Sequence, residues 1–100
     1  MSVAIIKKRP TEQYSIGLKF QPPDLVYDQK IIGVETSVVP VEVGGLELLG
    51  SPTIGGLTDE VAQVIGSGND LGEYRVKFKV TTSLGDIFEE EIMIIIREIE

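Results

Sequence analysis

The 100-residue chain contains no cysteine, no histidine and no tryptophan. Without cysteine there is no disulfide and no thiolate metal site, so packing alone must hold the fold. Without histidine, every His-based triad, imidazole general base and His metal ligand is excluded. Bases are scarce too: nine Lys and Arg stand against sixteen Asp and Glu, a net charge of −7. Such a surface repels phosphate backbones, the one basic cluster, Lys7, Lys8 and Arg9, reads as a solvated strand end, and nucleic acid is not an expected partner. No apolar stretch approaches the roughly 20 residues that cross a bilayer. The opening Met-Ser-Val-Ala-Ile-Ile-Lys-Lys has no basic leader ahead of an apolar run. These absences predict a soluble, unprocessed protein with no membrane partner, in a reducing compartment or in a particle assembled inside a cell.

A hydrophobic fraction of 42% and a charged fraction of 25% are those of a folded protein. The length predicts a single domain spanning residues 1–100. Tyr14, Ile16, Leu18 and Phe20 alternate with polar or small residues, the two-residue period of a half-buried strand. Pro22 and Pro23 then stiffen an exposed connection. Ile32, Val34, Thr36 and Val38 alternate again, up to Pro40. The stretch from Val43 to Gly56 holds five glycines and one proline, which predicts only short strands there. Glu60 to Gly66 is another strand, closed by the turn-forming Gly66-Ser67-Gly68-Asn69-Asp70. The tail from Phe88 to Glu100 can be written as a helix or a strand; its isoleucines and the hairpin signal ahead of it favour strand. The fold class is therefore all-β, an antiparallel β-sandwich of about seven strands without a disulfide.

The most regular stretch is Asp70 to Asp86. Tyr74, Val76, Phe78 and Val80 face inward while Glu73, Arg75, Lys77 and Lys79 face water. Ser83-Leu84-Gly85 fits a hairpin turn, with Gly85 taking the left-handed conformation. That loop pairs Thr82 with Asp86, Lys79 with Glu89, Lys77 with Glu91, Val76 with Ile92 and Tyr74 with Ile94. One residue resists the register: Glu90 points inward beside Phe78, which calls for a bulge or a rim position. Asp70-x-Gly72-x-Tyr74 has the pattern of a tyrosine corner, in which the tyrosine hydroxyl bonds to upstream backbone. In this the chain resembles the immunoglobulin-like fold. Val76 stands where antibody domains carry cysteine, so the resemblance is to disulfide-free relatives.

The order of Pro10-Thr11-Glu12, Gly66-Ser67-Gly68, Gly72-Glu73-Tyr74 and Thr81-Thr82-Ser83-Leu84-Gly85 is similar to that of small phage and prophage proteins with an immunoglobulin-like sandwich, encoded among virion head and tail genes. The resemblance implies a non-enzymatic structural accessory protein that docks to head or tail subunits. It also implies a life first in the bacterial host cytoplasm during assembly and then in the virion. The expected partners are other virion subunits or a second copy of the chain. An adhesion or carbohydrate-binding sandwich is the alternative; a metal-dependent enzyme fragment is the weakest reading.

Candidate chemistry is thin. Glu89, Glu90 and Glu91 offer carboxylates but read as a solvated, ion-pairing face. Calcium takes six to eight oxygens, and Asn69 with Asp70, Asp24 with Asp28, or Asp59 with Glu60 lack the alternating spacing that supplies them. The glycine-rich middle lacks the lysine and following helix of a phosphate cradle. No cofactor is expected. What remains is surface: the register that buries Ile92, Ile94 and Ile96 turns Met93 and Ile95 outward. Met93 and Ile95, together with Tyr27 beside the Pro-Pro turn, are the candidate interface. The competing reading of that strip is that the last strand is central or that the chain's own first segment covers it.

Overall fold

The computed structural model describes residues 4–19, 30–55 and 60–98. Among them every regular element is a strand: β1 (Ala4–Lys8), β2 (Tyr14–Lys19), β3 (Ile31–Val39), β4 (Leu46–Gly55), β5 (Glu60–Ser67), β6 (Glu73–Thr82) and β7 (Ile87–Ile96). They form two sheets, β1-β7-β6-β3 and β2-β5-β4. Lettered A to G in chain order, the strands divide into B, E and D on one sheet and C, F and G on the other, the partition of immunoglobulin sandwiches. Strand β1 joins the second of these.

The β6–β7 hairpin has the register its alternation predicts. Tyr74 lies opposite Ile94, Val76 opposite Ile92, Lys77 opposite Glu91 and Lys79 opposite Glu89. The lysine–glutamate contact within ion-pair range is diagonal, however: Lys77 reaches Glu89 at 3.3 Å. Glu90 does face Phe78 with no break in the ladder. It is half-exposed, and none of the described β1 residues, which pair with β7 from Ala4 opposite Ile92 onward, lies beside it.

Three expectations are corrected. The sandwich is not wholly antiparallel, because β1 runs parallel to β7, from Ala4 opposite Ile92 to Lys8 opposite Ile96. The last strand is consequently interior to its sheet, and β1 forms the edge. The glycine-rich middle is one ten-residue strand, β4, whose Gly50, Ser51 and Pro52 sit in a register shift between Leu49 and Thr53. A bulge absorbs the residues that cannot join a ladder. Finally, Lys8 is buried rather than solvated, its ammonium donating to the carbonyls of Arg9 (2.7 Å) and Ser67.

The core is aliphatic: Ile16, Ile31, Leu46, Val61, Ile65, Val76, Val80, Ile92, Ile94 and Ile96 surround Tyr74 and Phe78. Each such side chain contributes roughly 1.5–3 kcal/mol by leaving water. Tyr14, expected inside, is exposed at the start of β2. One polar side chain crosses the core. Gln63 of β5 accepts the Thr36 hydroxyl hydrogen at 2.7 Å from the facing sheet. Its amide donates to the carbonyls of Leu49 (3.3 Å), Gly50 (3.1 Å) and Val64 (3.0 Å). Every polar atom of that amide is therefore matched, which is what makes its burial tolerable.

Candidate functional site

At one end of the sandwich, the β5–β6 connection and the loop between β3 and β4 are joined by polar contacts centred on Tyr74. The Tyr74 hydroxyl accepts the Asn69 N–H at 3.1 Å and donates to Glu42 Oε1. The Asn69 amide donates to the same Glu42 oxygen (3.1 Å) and to the Val43 carbonyl (3.2 Å). The Gly45 N–H closes the loop on the Glu42 carbonyl at 3.0 Å. Gly72 lies against the tyrosine ring: a Cβ there would come within 2.7 Å of Cε2 and 2.8 Å of the Asn69 carbonyl. Asp70 does something else, accepting the Glu98 N–H at 2.8 Å.

This arrangement sets opposite trends on its two acids. Burial pushes the Tyr74 phenol up, reinforced by the Glu42 carboxylate it faces. The hydrogen bond from Tyr74, with that from Asn69, holds the Glu42 carboxyl below the usual glutamate range. Burial lowers the Lys8 ammonium, partly opposed by Glu12.

At the opposite end, Gly85 adopts φ +87°. Its N–H bonds to the Thr82 carbonyl (3.0 Å), while the Thr82 N–H bonds to the Asp86 carbonyl (2.9 Å). Ser83 ties the turn to the start of β3: its N–H donates to the Lys30 carbonyl (2.7 Å), and its hydroxyl accepts the Lys30 N–H (3.0 Å). Leu84, at the tip, is exposed.

Met93 and Ile95 are half-buried on the outer face of the four-stranded sheet. The pairings place Val39, Arg75, Met93 and Ile5 in one cross-strand row, and Glu73, Ile95 and Lys7 in the next. Ile5 and Val39 are 60% and 59% exposed. Strand β1 thus lies beside the strip and extends it with Ile5. The glycine-rich middle does not flank it, since β4 belongs to the other sheet. Tyr27 lies outside the described residues. The same is true of Asp24, Asp28 and Asp59; among the described residues no three acidic side chains converge as metal ligands.

Sequence reasoning missed Glu42. Nothing distinguishes it from any other loop glutamate until the fold brings it to a hydroxyl 32 positions away.

The described residues thus form an all-β sandwich that carries an apolar row bordered by charge on one outer face. Residues 8–95 match the family model described as podophage GP4 fiber-tail adaptor protein gp77. The chain belongs to this family of structural phage adaptors, and is a small virion-associated protein. No curated protein matches it.

Proposed function

We propose that the protein joins tail and fibre subunits of a podophage-type particle, docking through the outer face of the β1-β7-β6-β3 sheet. It assembles in the host cytoplasm before it becomes part of the virion. The observation that carries this reading is the family match over residues 8–95. It is supported by the row of Ile5, Met93 and Val39 around Arg75, with Ile95 beside it, in which apolar groups are bordered by Glu73 and Lys7. Apolar centres with polar rims are the usual anatomy of protein interfaces.

The test uses particles assembled without the chain, to which purified protein is added. The parent binds these particles. A variant carrying Met93→Lys and Ile95→Lys keeps its thermal transition but no longer binds, because outward positions add little to the core. A folded variant that binds like the parent removes this face from the interface.

A further inference from the structure

The turn ahead of β6 holds a leucine in a conformation that leucine disfavours. Leu71 has φ +67°, in the left-handed region where a bulky side chain crowds the backbone and where glycine or asparagine is the usual occupant. It is the third residue of the turn that the Gly72 N–H closes on the Asn69 carbonyl at 2.9 Å. The surroundings keep it there. The Leu71 N–H donates to the Ile96 carbonyl (3.0 Å), and the Ile96 N–H donates to the Gly72 carbonyl (2.9 Å). Asp70 accepts the Glu98 N–H at 2.8 Å, and the Asn69 N–H is held by the Tyr74 hydroxyl. The strain serves no packing, because Leu71 is 72% exposed. A residue that costs the fold backbone strain and still leaves its apolar side chain in water calls for a contact outside the chain.

Two more apolar side chains stand with it. The Asn69 amide donates to Glu42 Oε1 and to the Val43 carbonyl, which joins the turn of Leu71 to the loop between β3 and β4. In that loop Val41 is 87% exposed and Val43 99%. Both are β-branched, with few rotamers, and the backbone beneath them is tied at several points, so little conformational freedom is lost when they are buried. The charged residues of these two segments, 40–45 and 69–73, are Glu42, Asp70 and Glu73, all acidic and all exposed. The end of the sandwich built around Tyr74 is thus apolar at its centre and negative at its border.

A protein that joins two bodies needs two contacts, and the face around Met93 supplies the one to the tail particle. We propose that the Tyr74 end supplies the other: Leu71, with Val41 and Val43 beside it, enters an apolar pocket rimmed by lysine or arginine on the fibre subunit. The inference rests on the adaptor reading. Charge complementarity selects the rim, and the fixed backbone makes Leu71 the anchor.

The test measures binding of the purified chain to isolated fibre and, separately, to particles assembled without the chain. The parent binds both, and its affinity for fibre falls as salt screens the acidic border. Leu71→Asn suits the left-handed backbone and keeps or raises the melting temperature, binds particles like the parent, and loses affinity for fibre by about tenfold or more. Val41→Ser with Val43→Ser, at exposed positions, weakens fibre binding in the same selective way. Met93→Lys with Ile95→Lys gives the reverse pattern, losing particles and keeping fibre. A Leu71→Asn variant that binds fibre like the parent, or one whose melting temperature drops by several degrees because the leucine serves the fold, overturns this inference and leaves the adaptor reading standing. A parent that binds no fibre overturns both.

Discussion

Tyr74 is fully buried, yet its hydroxyl has two polar partners from two different loops. Removing the oxygen leaves the Asn69 N–H and the Glu42 carboxylate each one partner short. Both of those residues are exposed and can turn to water, so Tyr74→Phe costs about 1 kcal/mol, the net value of a typical hydrogen bond. The pH dependence follows from the direction of the Glu42 shift. Its carboxyl is held below the ordinary value in the folded protein, so its contribution is fully present above the unfolded pKa, near 4.3, and is lost as pH falls through the folded value. Urea midpoints measured from neutral pH downward should fall for the parent below that point, and fall less for Tyr74→Phe, in which the main cause of the shift is gone. Equal midpoints at neutral pH, or identical acid profiles, would contradict this account.

At the scale of elements, the two sheets are linked by Gln63, which reaches Thr36 on β3 and the β4 carbonyls of Leu49 and Gly50 beside the bulge. Gln63→Leu keeps the volume but strands a hydroxyl and these carbonyls, costing about 1–3 kcal/mol in denaturant. An unchanged midpoint would mean that the link carries no stability. The elements also show what a sequence reveals. The β6–β7 register was readable because one face alternates strictly and a short loop with Gly85 fixes the pairing. The parallel docking of β1 was not, since five residues, Ala4–Lys8, carry too little pattern to name a partner so distant in the chain. Strand β4 was mistaken for fragments because Gly50 and Pro52 look like stops when read locally; only the pairing with β5 turns them into a bulge. Met93 and Ile95 were legible from parity alone. The Glu42 clasp was not, because it is assembled from segments that only tertiary pairing brings together.

For the whole molecule, the outer face of one sheet carries the Met93 row, and the other sheet carries a row of small residues, Gly17, Ala62 and Thr53. The two surfaces face opposite ways. Its excess of acidic groups, sixteen against nine, favours solubility through like-charge repulsion. The central claim is that the protein connects fibre to tail. The most direct measurement is to count fibres, by electron microscopy, on particles assembled without the chain and on the same particles after purified chain and fibre are added back. The account predicts bare tails that regain fibres only when the chain is supplied. Tails that carry their full set of fibres without it would contradict the account.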